Sequence, residues 1–69
     1  MKVSARNLIP GTVKAINIGM VNAEVVIEAG PGVDIVSVIT KESVEKMGLK
    51  EGSEVKAMVK ATSVMVVTD

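Results

Sequence analysis

Fourteen of the 69 residues are valine, and the clearest apolar runs alternate with polar side chains. Branching at Cβ restricts χ1 and suits a pleated, half-buried surface better than a helix. From Met20 to Ala29, Val21, Ala23, Val25 and Ile27 alternate with Asn22, Glu24, Val26 and Glu28, the period-two signature of a half-buried strand. Val3–Arg6 and Thr12–Ile18 also read as extended, with Pro10-Gly11 marking a turn or bend between them. Gly19 punctuates before Met20, and Gly30-Pro31-Gly32 is the strongest turn signal in the chain. Val33–Ile39 alternates again.

The pattern then changes period. Thr40 suits an N-cap, Ser43, Val44 and Met47 follow at helical spacing, and Gly48 stands where a C′ glycine belongs. A helix near residues 41–47 has about two turns and does not persist alone. It is expected to pack through Val44, Met47 and Leu49. Glu51-Gly52 turns the chain into a strand over Val55–Lys60, and Thr62–Val67 reads as the last strand. The expected fold is all-β: a small OB-like Greek-key barrel of about five strands, with one short helix between the third and fourth. An SH3-like barrel is the alternative. Residues 1–69 read as a single domain.

Cysteine, histidine and aromatic residues are all absent. The core must be aliphatic, and a chain this short buries only about 60% of the surface its unfolded form exposes. Small domains without disulfides or metals gain stability by association, so an oligomer is expected. Eight basic and eight acidic residues cancel. A neutral chain has no broad field to draw in nucleic acid or an acidic membrane. No run approaches the ~18 apolar residues of a membrane span, and the N-terminus lacks a leader-like apolar region. A cytoplasmic location is expected.

The residue inventory argues against catalysis. Without His, Cys or Tyr, the usual general acids, bases and nucleophiles are missing, and no Ser or Thr stands at useful spacing from a base. Glu42, Glu45, Glu51 and Glu54 read as a solvated face. Single-strand binding by an OB barrel needs a basic groove and stacking aromatics, which this chain lacks. Met20, Met47, Met58 and Met65 read as core filler, and no side-chain metal site is expected.

Three polar clusters carry hydroxyls, cations and backbone N–H groups, a combination that suits a small, fully deprotonated oxyanion. Arg6 offers a planar fork of donors, with Ser4 two residues away on the same strand face; a surface Arg beside a turn is the plainer reading. Thr40, Lys41 and Ser43 stand at a helix N-terminus, where unpaired N–H groups favour an anion; Thr40 also reads simply as a cap. Lys60 with Ser63 adds one cation and one hydroxyl at a strand-to-strand junction, which is equally an ordinary turn. Gly19 and Asn22 flank a tight bend, read first as a hairpin turn needing positive φ.

In order along the chain, Ser4-Ala5-Arg6-Asn7, Gly11-Thr12-Val13, Ile39-Thr40-Lys41-Glu42-Ser43-Val44, Met47-Gly48-Leu49-Lys50-Glu51-Gly52 and Val59-Lys60-Ala61-Thr62-Ser63-Val64-Met65 resemble the molybdate-binding Mop domain. The resemblance runs from end to end, and a chain of this length that is nothing but one such domain looks like a molbindin, the free-standing form of that module. It implies an OB-like barrel assembled as a homohexamer, a trimer of dimers, with molybdate or tungstate held between subunits and no organic cofactor. Carried across, one pocket takes Ser4, Ala5, Arg6 and Lys60 from one subunit and Thr40, Lys41 and Ser43 from a neighbour. Ala61 and Ser63 line the same region or a second site. Backbone groups around Gly19, Val21 and Asn22 are further candidates for that second site.

The chemistry agrees with this resemblance. Molybdate at neutral pH accepts hydrogen bonds and donates none, so a donor-only pocket suits it. A protonated phosphate brings a donor that meets no acceptor, and an unmatched buried polar group costs about 1–3 kcal/mol. Sulfate is donor-free as well and must be rejected by size, which requires a rigid pocket. Tungstate has nearly the same size and shape, so poor discrimination is expected. The implied role is storage or buffering of the oxyanion ahead of molybdenum-cofactor synthesis. The alternatives are a molybdate-sensing regulatory module and a structural oligomeric barrel without ligand.

Overall fold

The structure, a computed structural model, describes residues 6–69. The strand expected over Val3–Arg6 therefore lies, apart from Arg6, outside the described residues. Four antiparallel strands form one curled sheet in the order β3-β2-β1-β4: β1 is Asn7–Ile18, β2 Asn22–Gly30, β3 Val33–Thr40 and β4 Glu54–Val59. A helix, α1 (Lys41–Met47), separates β3 from β4, as the order of patterns in the sequence requires.

The curl originates in β1. Its first half, from Asn7 to Thr12, pairs with β4, and its second half, from Thr12 to Ile18, pairs with β2. Thr12 is the hand-over point, opposite Glu54 on one side and Glu28 on the other. Next to it, Gly11 lets the two backbones close up. A Cβ there would lie 2.6 Å from Ile27 Cγ2 and 2.7 Å from the Glu28 carbonyl oxygen. Pro10-Gly11 is thus not a turn; the strand runs straight through it. Proline is tolerated because β1 is paired on one side only at that point, so a missing N–H need not break a ladder. A register shift between Val13 and Ala15 leaves Lys14 bulged, a device that increases local twist. Its ammonium reaches Asp34 on β3 at 3.0 Å, and that hydrogen bond and charge raise the Lys14 pKa above its ordinary value.

The core sits inside the curl. Val13, Ala23, Val25, Ile27, Val44 and Ala57 are buried, and Ile9, Ile16, Ile35, Ile39, Leu49 and Val55 pack against them. The inward alternation expected of β2 holds at Ala23, Val25 and Ile27; Val21 lies before the strand and is exposed. β3 alternates as expected, with Ile35, Ser37 and Ile39 half-buried between exposed neighbours. Pro31-Gly32 forms the two-residue link between β2 and β3, with Gly32 at φ 74°, a value glycine supplies without strain. Gly52 takes φ 92° in the turn before β4, where the sequence also marks a break.

The helix ends as its sequence dictates. The Thr40 hydroxyl accepts from the Ser43 N–H at 3.0 Å. At the other end Gly48 adopts φ 62°, its N–H bonds the Glu45 carbonyl and the Leu49 N–H bonds the Val44 carbonyl, each at 3.1 Å. That pair of bonds is a Schellman motif. Val44 and Leu49 face the core as expected, but Met47 does not. A seven-residue helix presents only one narrow stripe, and Val44 occupies it.

Two expectations fail. Thr62–Val67 is not a strand: Ala61–Ser63 forms a 3-10 turn and the residues after it join no ladder, so the described residues form four strands. Strand propensity is realised only where a neighbouring backbone completes the hydrogen bonds, and this segment pairs with none of the described strands. Met20, Met47, Met58 and Met65 are exposed rather than core filler. The small barrel interior is filled by valine, isoleucine and alanine before any methionine is needed.

Candidate oxyanion site

Each candidate donor is placed by the end of an element, and the ends fall into two groups. Asn7 pairs with Val59, which sets Arg6 beside Lys60 at the start of β1. Lys60 then enters the 3-10 turn, where the Ser63 N–H donates to the Lys60 carbonyl at 2.8 Å. Arg6, Lys60, Ala61 and Ser63 thus share one end of the molecule, all exposed. Ser4 and Ala5 lie outside the described residues.

The second group stands at the far end of β1. Ile18 pairs with Ala23, and the Gly19 N–H donates to the Asn22 carbonyl at 2.8 Å to close the hairpin over Met20 and Val21. No positive φ is needed there; the left-handed glycines are Gly32, Gly48 and Gly52. What glycine supplies at position 19 is room, because a Cβ would lie 2.9 Å from the Asn22 carbonyl oxygen. Asn22 in turn pairs with Thr40. The Lys41 N–H donates to the Val21 carbonyl at 2.7 Å. Gly19, Val21 and Asn22 are therefore gathered against Thr40, Lys41 and Ser43, residues some twenty positions later. Nothing local in the sequence signals this clasp, which arises from strand pairing.

The clasp changes which donors are available. Lys41 spends its backbone N–H on Val21, and Ser43 spends its own on the Thr40 hydroxyl. Thr40 also donates its hydroxyl proton to Ser43 Oγ at 2.8 Å. With Thr40 as the donor of that pair, the half-buried Ser43 hydroxyl can donate outward, beside the exposed Lys41 side chain. Thr40 is thereby the residue that orients Ser43. A broad groove lined by Pro10, Gly11, Glu28, Met47, Glu54 and Lys56 holds none of these donors and carries two carboxylates to one ammonium, which disfavours a dianion.

A scan of family models matches residues 3–66 to the TOBE domain. The chain is 48% identical over 66 residues to "Molybdenum-pterin-binding protein 2" of Clostridium pasteurianum, covering 96% of this chain and 97% of that one. This chain belongs to the TOBE domain family, among the molbindins. Solved molbindin structures agree in three dimensions. A molybdate-binding protein from Sporomusa ovata superposes with a TM-score of 0.91 at 41% identity, covering 99% of this chain and all of that one. The cytoplasmic molybdate-binding protein ModG, in a form with molybdate bound, superposes with a TM-score of 0.84 at 48% identity, covering 88% of this chain and 43% of that one. The four curled strands and single helix are thus the OB-like fold of these molbindins.

Proposed function

We infer that this molbindin binds molybdate as an intact oxyanion, in pockets completed by a second copy of the chain. The observation that carries the reading is the division of the donors. Arg6, Lys60 and Ser63 stand at one end of β1, and Lys41 and Ser43 stand at the other, so one chain cannot close both sets on one ion. All five are exposed or half-buried in the single chain. A second copy brings the missing half and excludes water, which strengthens every charge-assisted hydrogen bond in the pocket.

The donor set is two ammonium groups, a guanidinium and hydroxyls, with no carboxylate among them. It fits an ion that carries no proton. Discrimination against sulfate then rests on pocket size, and tungstate binds comparably. The role is storage or buffering in the cytoplasm by a homohexamer, a trimer of dimers. Among the described residues no helix is long and apolar enough to cross a membrane.

Calorimetric titration with molybdate, in buffer holding excess sulfate and phosphate, tests the reading. Saturable heat that tungstate abolishes supports it. Absence of heat makes the clusters ordinary caps and turns.

A further inference from the structure

The end of the molecule that gathers Thr40, Lys41 and Ser43 also carries carboxylates, which repel a bound dianion. Glu24, just past Asn22 on β2, accepts from the Asn17 amide at 3.2 Å. Glu42 and Glu45 lie on α1. Glu42 stands between Lys41 and Ser43 in the first turn, and its carboxylate meets the Lys46 ammonium at 2.9 Å. Glu45 follows Lys41 at the same i,i+4 spacing, yet among the described residues the ion pairs are Lys14–Asp34 and Lys46–Glu42. Order accounts for the difference, because in a helix a glutamate one turn before a lysine pairs better than the reverse. α1 thus spends Lys46 on Glu42 and leaves the Lys41 ammonium out of any ion pair.

The Lys46–Glu42 pair does little for the fold. Its side chains are 75% and 73% exposed, and exposed pairs of this kind contribute almost nothing to stability. What the pair changes is the charge next to the donors. We propose that Lys46 is a positioning residue for oxyanion binding: it holds and neutralises the Glu42 carboxylate, so that Lys41 and Ser43 meet the ion without a competing negative charge between them. The inference rests on the proposed function, because it needs an anion at Lys41 and Ser43. Without Lys46, Glu42 becomes an unpaired charge adjoining both donors in the chain. A carboxylate about 8 Å from a dianion in water weakens binding roughly sixfold by Coulomb repulsion alone. Salt screens that repulsion, since the Debye length falls to about 3 Å at 1 M. Arginine at position 46 keeps the pair, and glutamine abolishes it.

Calorimetric titration with molybdate in low-salt buffer compares the parent with four variants. Lys46→Gln is expected to raise Kd about three- to tenfold, and about 1 M salt to shrink that difference below about twofold. Lys46→Arg is expected to bind like the parent. The double variant Glu42→Gln/Lys46→Gln is expected to return to within about twofold of the parent, because the charge that Lys46 restrains is gone. Lys14→Gln is the matched control. It breaks the other ion pair, whose Asp34 lies toward the opposite end of β3 from Thr40, and is expected to leave Kd unchanged. All four are expected to keep the parent's circular dichroism spectrum. A Lys46→Gln chain that binds like the parent overturns the proposal. So does an equal loss in Lys14→Gln, which makes the effect one of net charge alone, and so does a double variant or a Lys46→Arg chain as weak as Lys46→Gln. A parent that takes up no molybdate removes the functional reading and this inference with it, whereas a parent that binds and variants that match it remove this inference alone.

Discussion

Replacing Gly11 with alanine tests the crossing that curls the sheet. The added Cβ would lie 2.7 Å from the Glu28 carbonyl oxygen, 0.7 Å inside the 3.4 Å at which ordinary contact begins. It would also meet Ile27 Cγ2 at 2.6 Å. The isoleucine can rotate away at some cost to the core. The carbonyl cannot, because Glu28 is paired with Thr12 on one side and Asp34 on the other. Overpacking that forces backbone movement costs about 1–3 kcal/mol. For a domain of this size each kcal/mol lowers the melting temperature by about 4–8 °C, so Gly11→Ala should melt roughly 5–20 °C below the parent. The chain has no aromatic residue, so the melt is followed by far-ultraviolet circular dichroism or calorimetry, at one fixed chain concentration. Gly30→Ala is the control. A Cβ at position 30 meets nothing within 4 Å and its φ is not positive, so that variant should match or slightly exceed the parent. If Gly11→Ala melts with Gly30→Ala, the close crossing of β1 over β2 is wrong.

Other substitutions probe the remaining links. Val25→Asp places a carboxylate at a side chain only 2% exposed; the penalty rivals the ~5 kcal/mol stability of a small domain, and the expected outcome is insoluble or unfolded protein by circular dichroism. Thr40→Ala removes the cap and should cost about 1 kcal/mol in thermal denaturation, whereas Thr40→Ser should restore most of it. Arg6→Ala and Lys60→Ala should each weaken molybdate binding in calorimetry with the circular dichroism spectrum unchanged; two variants that bind like the parent would show the pocket is misplaced. Ser43→Ala should weaken binding more than it lowers the melting temperature, because within the fold it loses only the hydroxyl contact with Thr40 while its N–H still reaches the Thr40 cap.

Features decided within a few residues were legible in the sequence. Thr40 and Gly48 bound the helix because their roles depend on the adjoining turn alone, and Gly32 and Gly52 mark real reversals because no other residue takes their φ so freely. Ala23, Val25 and Ile27 announced the buried face by simple alternation. Pro10-Gly11 was misleading. The same dipeptide serves a turn or a close crossing, and only the position of β2 distinguishes them. Thr62–Val67 was misleading in the opposite direction, since its composition is that of a strand but it joins no strand of the described sheet. The candidate donors could be picked out individually by chemistry. Their sorting into two ends of β1, and the bond from Lys41 to Val21, depend on register and could not be read from spacing.

If molybdate is bound between copies as proposed, that sorting makes binding depend on protein concentration. A pocket contained in one chain has an affinity independent of how much protein surrounds it. A pocket assembled from the two ends of different chains does not, because part of each binding event is spent on bringing the chains together. Its apparent affinity for molybdate should fall as the protein is diluted through the concentration at which its copies separate. Expression level then sets retention as well as capacity. A cell making little of the protein would hold its oxyanion loosely, and one making much would hold it tightly, with no change in any side chain.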